Sequence, residues 1–478
     1  MEEVLYRWLA ATASVRSDVL ALIGLVLSLA VTMHVLLRKR VVGAAIGWIG
    51  LAWLAPVFGS AFYLILGINR VERRARKLKR KPSQQIDETP QPTAVVPEAY
   101  EALDRAVRAV TGLPTVAGTT IAVYRNGDEA YPAMLAAIES ACTSVALSSY
   151  IFRDDEIGNA FIAALVAAKA RGAEVRVIID GIGSGYFRPA AWRHLTRAGV
   201  PAGLFMHSAL PWRMPFLNLR SHKKLLIVDG RVAFTGGVNI SDGNRLASKP
   251  VWPIRDTHFR VEGPVVEQFA QAFAADWAFV ADEELEGECW LPTLEPVGNL
   301  TARVVTSGPD ADIEKIATVI LQAISCARSS IRLATPYFLP NELITNALGL
   351  AAARGISVDI VVPRRSDHHF VDYAMRAHVA PLLASGVRIW LDDPPFDHSK
   401  ALVIDRCWSF IGSANWDSRS FRLNFELNVE VYDEELAGRL DDFIQSKQAT
   451  QLTLADLDAR ALPVRLRDAA VRLLLPYL

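Results

Sequence analysis

The feature that most constrains this chain is an internal duplication, in which one short pattern occurs twice, about 180 residues apart. The first copy runs from His222 to Asp229 and the second from His398 to Asp405. Both read His-x-Lys-x4-Asp, and a glycine-containing turn that ends in an asparagine follows each copy. One such motif could arise by chance, but two with matching downstream turns indicate a duplication. We therefore expect two related halves, each contributing one copy.

The spacing inside each copy brings two functional side chains together. Both copies contain apolar runs that are typical of buried strands. Residues i and i+2 of a strand project from the same face. His222 is therefore expected beside Lys224, and His398 beside Lys400.

Strand and helix patterns repeat around the two motifs. Strand–helix–strand order predicts an α/β sheet covered by helices. We therefore expect a duplicated α/β/α sandwich with pseudo-twofold symmetry and one shared active site. The predicted strands and helices are Ser144–Phe152, Ile157–Arg171 and Glu174–Asp180 in the first half, and Ser330–Phe338, Glu342–Arg354 and Ser357–Val362 in the second. The predicted divisions are an anchor at 1–81, a linker at 82–97, halves at 98–300 and 301–452, and an amphipathic tail at 453–478.

Composition restricts the possible functions. The 478 residues include 51 basic and 51 acidic side chains, and this neutrality disfavours nucleic-acid binding. No Cys-x-x-Cys or other metal-ligand spacing is present, so we predict reduced thiols in a cytosol-facing domain and neither a metal nor another cofactor. The cysteines are Cys142, Cys289, Cys326 and Cys407.

The N-terminal region is typical of a membrane anchor. Val19–Leu37 is an apolar run that would span about 28 Å as a helix, close to the thickness of a bilayer core. A second run, Val41–Ile68, is broken by Pro56 and Gly59. This run could complete a membrane hairpin or be re-entrant. A signal peptide is disfavoured because a second apolar run, rather than a small-residue cleavage site, follows the first.

Basic residues suggest the orientation of this anchor. Eight basic residues lie in Arg70–Lys81, and they favour a cytoplasmic location for everything that follows. Arg38 and its two basic neighbours also favour a cytoplasmic location for the loop between the apolar runs, but these three charges are outnumbered by the eight that come later. The proline-rich segment Pro82–Pro97 is predicted to be a flexible linker. At the other end of the chain, the basic tail could lie on a membrane or pack on the globular domain.

Two histidines in one site suit a two-step displacement at phosphorus. One imidazole attacks and becomes a phosphohistidine, and the other protonates the leaving alkoxide and then deprotonates the incoming nucleophile. Amine and amide groups would bind the phosphoryl oxygens as charge develops on them. The candidate catalytic residues are His222, Lys224, Asp229, His398, Lys400 and Asp405, and the candidate phosphate-binding residues are Asn239 and Asn415.

Each catalytic histidine needs a partner on its second ring nitrogen. Asp256 and Glu426 follow the two motifs at similar offsets, each near the start of a predicted strand, and are the expected orienting carboxylates. Within the motifs, Asp229 and Asp405 lie at strand-to-turn junctions, where we expect turn or salt-bridge roles. Two aromatic residues, Trp252 and Tyr337, are candidates for a substrate pocket, although core packing is the commoner role of such residues.

Taken together, these motifs resemble the phospholipase D superfamily, and within it the bacterial cardiolipin synthases. Further segments that carry the resemblance are Tyr150–Asp155, Asp180–Ser184, Phe234–Gly237, Arg255–His258, Thr335–Pro340 and Asn415–Ser420. The resemblance covers nearly the whole chain. It implies an enzyme of the bacterial cytoplasmic membrane that transfers a phosphatidyl group from one phosphatidylglycerol to a second and releases glycerol. It also implies that His222 is the nucleophile and His398 the acid and base, although the sequence does not decide between them.

Three other functions are compatible with parts of this pattern. Hydrolysis of phospholipid to phosphatidic acid differs only in whether water or an alcohol resolves the intermediate. A membrane-tethered nuclease is disfavoured by neutral charge and by the lack of interleaved basic and aromatic residues. A non-catalytic scaffold is disfavoured because both histidine–lysine pairs are intact.

Overall fold

The computed structural model describes residues 2–38, 42–67, 94–185, 189–205, 219–308 and 313–473. It divides the chain into two compact units, 1–77 and 78–478. The predicted basic cluster Arg70–Lys81 and the linker up to residue 93 lie outside the described residues.

The N-terminal unit is built from apolar helices. Its segment Asp18–Arg38 is long and apolar enough to cross a membrane, judged by length and composition. The helix that contains this segment starts well before the predicted apolar run. Pro56 separates the second run into two shorter helices, because proline is tolerated in the first turn of a helix but not in its interior. The elements are α1 (Glu2–Arg38), α2 (Val42–Leu54), α3 (Pro56–Phe62) and a π-helical turn (Tyr63–Gly67).

Polar contacts between α1 and α2 tie the two apolar runs together. The Ser28 hydroxyl donates to the Ala52 carbonyl at 2.6 Å. The indole of Trp53 donates to the Thr32 hydroxyl at 3.0 Å. In an apolar medium such polar atoms need internal partners, and here each run supplies partners to the other.

The large unit contains a 16-stranded mixed sheet in its described residues. Its strands are β1 (Val116–Arg125), β2 (Ser144–Ser149), β3 (Glu174–Asp180), β4 (Ala202–Phe205), β5 (Arg220–Ser221), β6 (Leu225–Val228), β7 (Val232–Gly236), β8 (Ile254–Arg255), β9 (Thr257–Glu262), β10 (Leu300–Ser307), β11 (Ser330–Ala334), β12 (Phe338–Leu339), β13 (Ser357–Pro363), β14 (Arg388–Asp392), β15 (Phe396–Asp397), β16 (Ala401–Ile404), β17 (Trp408–Gly412), β18 (Trp416–Asp417), β19 (Asn424–Tyr432) and β20 (Thr450–Leu452). Four of them form two separate pairs, β12 with β18 and β8 with β15.

The α-helices of the large unit are α4 (Glu101–Thr111), α5 (Asn126–Ser140), α6 (Glu156–Ala170), α7 (Ala190–Arg197), α8 (Val266–Ala281), α9 (Lys315–Cys326), α10 (Glu342–Ala353), α11 (His369–His378), α12 (Ala380–Ala384), α13 (Ser418–Arg422), α14 (Glu434–Ser446), α15 (Leu454–Asp458) and α16 (Leu462–Arg472).

The strand order records the duplication. Reading outward from the centre, the first half runs β1-β9-β7-β6-β2-β3-β4 and the second runs β10-β19-β17-β16-β11-β13-β14. The halves join where β1 and β10 pair antiparallel. Each strand therefore has a counterpart in the other half, and the two halves form one continuous sheet. The predicted α/β class with two related halves is confirmed.

Helices cover both faces of the sheet. On one face, α8 and α14 pack against strands of both halves, with Phe269 and Leu440 in the same apolar cluster. On the other face, α5 and α6 cover the first half, where Phe161 is fully buried. The helices α9 and α10 cover the second half, where Leu348 is fully buried. This arrangement is an α/β/α sandwich, and it leaves the ends of the strands free to carry a site.

The motif residues differ slightly from the expectation. The strand β6 starts after Lys224 and β16 starts after Lys400, so each histidine and lysine lies in the extended segment that leads into a strand. Glu426 lies inside β19, which begins at Asn424, rather than just before the strand. Glu426 belongs to β19 because it pairs with Ser307 of β10, a strand of its own half.

The motif aspartates bind backbone groups at turns. Asp229 accepts from the backbone N–H of Thr143 at 2.7 Å and of Ser144 at 3.0 Å. Asp405 accepts from Ser329 at 2.7 Å and from Ser330 at 2.8 Å. Burial alone would raise the pKa of each carboxyl, but the backbone donors outweigh burial and lower it. These carboxylates contact the loops before β2 and β11 rather than the histidines, which agrees with the turn role expected for them.

We expect Asp405→Ala and Asp229→Ala each to lower the free energy of unfolding by about 2 kcal/mol, because several backbone donors lose their acceptor. Both aspartates have positive φ, 52° for Asp405 and 53° for Asp229, which alanine tolerates poorly. Denaturant unfolding of the full chain in detergent, followed by tryptophan fluorescence, measures the change. Asp458→Ala, at a side chain that is 73% exposed, is the matched control and should change little. Equal effects for all three variants would contradict the assignment.

Candidate active site

A short strand that pairs with the other half holds each motif histidine. In the first half, β5 pairs in parallel with β19, and the backbone N–H of His222 donates to the Phe425 carbonyl at 2.9 Å. In the second half, β15 pairs in parallel with β8, and the N–H of His398 donates to the Arg255 carbonyl at 2.8 Å. Each histidine is therefore fixed beside the residue that precedes a carboxylate of the opposite half.

This strand exchange decides which carboxylate each histidine meets. Nδ1 of His222 lies 3.0 Å from Oε2 of Glu426. Nδ1 of His398 lies 2.8 Å from Oδ2 of Asp256. The structure brings both expected carboxylates to the histidines, with the pairing crossed between the halves.

The two imidazoles face one another at the centre of the unit. Their ring centroids are 6.4 Å apart and the rings are inclined at 79°. His222 is 5% exposed and His398 is 7% exposed, so little water reaches either ring. Because each Nδ1 faces a carboxylate, Nε2 is the nitrogen left for chemistry on each ring.

Both motif lysines are buried beside these rings. Nζ of Lys224 donates to the His222 carbonyl at 2.9 Å and lies 5.1 Å from the ring centroid of Tyr150. Nζ of Lys400 lies 3.0 Å from Nε2 of His398. Both lysines are 3% exposed. The site therefore holds two ammonium groups within reach of any anion bound between the imidazoles.

Burial controls the charges of these groups. It lowers the pKa of both histidines well below the usual value, and the two lysine charges lower it further. Burial also lowers the pKa of Lys224 and, to about 8, that of Lys400. Burial raises the pKa of Glu426, and it raises that of Asp256 to about 7. These shifts favour neutral imidazoles, and the opposite charges that the lysines and carboxylates can carry offset part of the cost of burying them.

The glycine-containing turns support the carboxylates in two different ways. Glu426 accepts from the hydroxyl of Ser413 at 2.6 Å and from the Asn424 amide at 3.0 Å. In the first half, a Cβ on Gly237 would lie 2.0 Å from an oxygen of Asp256, so only glycine fits there. Neither Ser413 nor Gly237 was a predicted site residue. The sequence did contain a signal for both residues, because one turn reads Gly-Gly and the other reads Gly-Ser at the same two positions.

Two further buried carboxylates fix the segments that lead to the histidines. Asp180 accepts from the backbone N–H of Ser221 at 2.9 Å. Asp397 accepts from the N–H of Ser399 at 2.8 Å and forms an ion pair with Lys447. Such supporting contacts hold catalytic side chains in position.

The predicted phosphate-binding asparagines lie in the two turns. Asn239 is 9% exposed, and its Oδ1 accepts from the Ile151 N–H at 3.3 Å. Asn415 is 4% exposed, and its Oδ1 has no hydrogen-bond partner among the described residues. The turns adjoin the carboxylates, but contact between either amide and a phosphate stays a prediction.

Aromatic and basic residues complete the walls of the site. The rings of Tyr150 and His222 are 4.8 Å apart, and those of Tyr337 and His398 are 6.1 Å apart. Tyr337 therefore lies at the site, as the pocket interpretation predicted. On the His222 side, Arg220 hydrogen-bonds Tyr150, and the charge of Arg419 also acts on this tyrosine. The buried carboxylate of Asp180 acts on the same tyrosine in the opposite sense, so this side of the site holds charges of both signs.

Comparison with known proteins agrees with the fold and the motifs. The family model described as "Cardiolipin synthase, PLD-like domain" matches residues 134–277 and 320–447. A cardiolipin synthase from Listeria monocytogenes serotype 4a is 32% identical over 460 residues, which cover 93% of this chain and 95% of the relative. A cardiolipin synthase from Geobacillus kaustophilus is also 32% identical over 460 residues, covering 94% of this chain and 91% of the relative.

A solved structure supports the fold alone. The phosphatidylserine synthase of Haemophilus influenzae aligns with 79% of this chain and 100% of its own, with a TM-score of 0.59 and 14% identity. Two buried His/Lys pairs in a duplicated α/β sandwich define a phospholipase D-like protein. With the family model and the curated relatives, this chain belongs to the phospholipase D-like cardiolipin synthase family.

The crossed pairing predicts which imidazole responds to each carboxylate. Glu426→Gln should shift the Nδ1 resonance of His222, because it removes the charged acceptor, and leave His398 unchanged. Asp256→Asn should do the reverse. Nitrogen NMR of the full chain with labelled histidine, in detergent micelles, measures both shifts. If each variant instead moved the histidine of its own half, the crossed arrangement would be wrong.

Proposed function

We propose that this chain synthesises cardiolipin from two phosphatidylglycerol molecules through a covalent phosphohistidine intermediate. The observation that carries the proposal is the pair of buried imidazoles, 6.4 Å apart, each with its own carboxylate. This spacing leaves room for one phosphorus between two nitrogen atoms. The family relation supports a phospholipid as the substrate.

In the first step, Nε2 of His222 attacks the phosphorus of one phosphatidylglycerol. The bond from phosphorus to the headgroup glycerol breaks, and His398 donates a proton to the leaving alkoxide. The bound phosphodiester anion favours the protonated form of one imidazole, which offsets the effect of burial on its pKa. Glu426 and Asp256 orient the two rings and stabilise positive charge on them. The two lysines bind the phosphoryl oxygens, on which negative charge accumulates.

In the second step, the glycerol hydroxyl of another phosphatidylglycerol attacks the phosphohistidine. His398 removes its proton, the phosphorus–nitrogen bond breaks, and His222 is released. The relation to cardiolipin synthases supports an alcohol rather than water as the acceptor, because water at the intermediate would give phosphatidic acid.

We also propose that the N-terminal unit anchors the enzyme in the cytoplasmic membrane as a hairpin, with the catalytic unit facing the cytoplasm. The apolar helix Asp18–Arg38 and its polar contacts with α2 support this arrangement. An anchored enzyme meets both lipid substrates at the membrane that contains them.

Purified full chain in mixed micelles with phosphatidylglycerol labelled in the headgroup should release one labelled glycerol for each diphosphatidyl product. His222→Ala and His398→Ala should each reduce this rate by at least about 10³-fold, because each removes a group that acts at phosphorus. His194→Ala changes a histidine whose side chain is 39% exposed and serves as the matched control. Phosphatidic acid as the sole product would instead indicate a hydrolase, and full activity of either motif variant would refute the mechanism.

The charges of the site predict a narrow, bell-shaped pH profile. As the pH rises through about 8, Lys400 loses its proton and no longer offers an ammonium to the phosphoryl group. As the pH falls through about 7, the carboxyl of Asp256 gains a proton and no longer stabilises the His398 imidazolium. Steady-state kcat/KM measured across this range checks both limbs. Burial also raises the pKa of Glu426 to about 7, so Asp256→Asn should leave an acid limb that is set by Glu426. A flat profile in the unsubstituted enzyme would contradict the assigned charges.

A further inference from the structure

Three large apolar side chains are exposed beside the active site. Val251 is 86% exposed, Trp252 is 80% exposed and Phe370 is 60% exposed. The exposure of Trp252 rules out the core-packing alternative for this residue. An exposed tryptophan suits the boundary between water and lipid, because its ring is apolar and its N–H is polar.

These side chains flank the aromatic wall of the site. Trp252 lies two residues before β8, which pairs with Phe396 of β15, and the Phe396 ring is 5.9 Å from that of His398. Phe370 lies two residues after His368, whose ring is 5.6 Å from that of Tyr337. Each exposed aromatic residue therefore lies two residues along the chain from a position that contacts the Tyr337–Phe396 pair or its strand. We call Val251, Trp252 and Phe370 the rim.

The C-terminal helix α16 carries a second exposed apolar feature. Leu462, Leu466 and Leu473 recur at helical spacing and are 67%, 62% and 77% exposed. Asp468, on the opposite face, is buried. Arg465 and Arg472 are exposed and lie along one side of the leucines. We call the three leucines the tail stripe.

The tail stripe lies next to the helix that starts at the rim. The guanidinium of Arg467 lies 3.6 Å from the ring centroid of Tyr373, and Arg472 donates to the Ala377 carbonyl at 3.2 Å. These contacts show that α16 runs alongside α11 in the same direction. The Leu462 end of α16 is therefore the end nearer Phe370. The tail packs on the globular domain through one face, as the packing alternative predicted, and still presents its leucines outward.

We propose that the rim and the tail stripe together form a surface that inserts into the headgroup region of an anionic phospholipid bilayer. The arginines would contact the anionic headgroups at the bilayer surface, and the exposed leucines would enter the apolar layer beneath the headgroups. Arg465 lies 3.6 Å from the exposed carboxylate of Asp458, whereas Arg472 donates to a backbone carbonyl and has no ion pair among the described residues. This proposal rests on the proposed function only in taking phospholipid as the class of lipid. It adds that the catalytic unit contacts the bilayer through its own surface.

The position of the rim gives this contact a consequence for catalysis. Because Trp252 and Phe370 are each close along the chain to residues at the aromatic wall, an inserted rim would bring this side of the site to the level of the headgroups. A substrate could then reach the imidazoles while its acyl chains stay in the bilayer.

Site-directed spin labels on the full chain test this contact without requiring turnover. The labels are introduced by Trp252→Cys and Leu466→Cys, in chains that also carry Cys142→Ser because Cys142 is exposed. The signal of the Cys142→Ser chain without an added cysteine is subtracted. The chains are reconstituted in vesicles of phosphatidylglycerol and phosphatidylcholine. Collision rates with dissolved oxygen, which enters lipid, and with a polar nickel complex, which does not, report the depth of each label.

Val297→Cys is the matched control. Val297 is 55% exposed, and its N–H donates to the Gly118 carbonyl near the start of β1. The other end of β1, at Arg125, pairs with Thr257 beside the site, so Val297 lies at the opposite end of the sheet.

The oxygen-to-nickel ratio should be at least about threefold higher at positions 252 and 466 than at 297, since inserted apolar faces lie several ångströms below the surface. In vesicles of phosphatidylcholine alone, the ratio at 466 should fall. Equal ratios at all three positions would overturn the proposal. Spin–spin broadening between 466 labels in a nickel-accessible environment would also overturn it, in favour of a second copy as the occupant. A chain that buries both labels but makes no cardiolipin would contradict the proposed function alone.

Discussion

The exchange of two short strands between the halves is the constraint on which the active site depends. Because β5 pairs with β19 and β15 pairs with β8, each histidine meets a carboxylate that its own half does not supply. Neither half can assemble a complete histidine–carboxylate pair alone. The duplication therefore yields one shared site instead of two, and the continuous sheet, joined where β1 pairs with β10, holds its parts in register.

The second constraint is the cost of burying charge. An isolated buried ammonium or carboxylate is strongly disfavoured, whereas opposite charges held close together with further hydrogen bonds offset much of that cost. Here Lys224 and Lys400 lie among Glu426 and Asp256, and hydrogen bonds from neighbouring groups such as Ser413 hold the carboxylates. Burial displaces the pKa values of both imidazoles, both lysines and both carboxylates of this cluster, which is the pattern typical of functional sites.

Much of this arrangement could be predicted from the sequence, because the repeated motif and the strand–helix patterns are local signals. The predicted helix Ile157–Arg171 corresponds to α6 at Glu156–Ala170, and the strand Glu174–Asp180 has the predicted bounds. The crossed pairing could not be predicted, because offsets along the chain say nothing about two-residue strands that pair across halves. The place of Glu426 inside β19 was missed because it depends on pairing with Ser307 of β10, more than 100 residues earlier in the chain. The exposure of Trp252 could not be predicted either, because composition does not distinguish an interfacial tryptophan from a buried one.

The central claim is that phosphorus passes between the two imidazoles through a covalent enzyme intermediate. The most direct test is the stereochemical course at phosphorus, using phosphatidylglycerol made chiral at that atom with sulfur and an oxygen isotope. Each in-line displacement inverts the configuration, so attack by one histidine followed by attack by the second lipid predicts overall retention. Overall inversion would show that the acceptor displaces glycerol directly and would contradict the account.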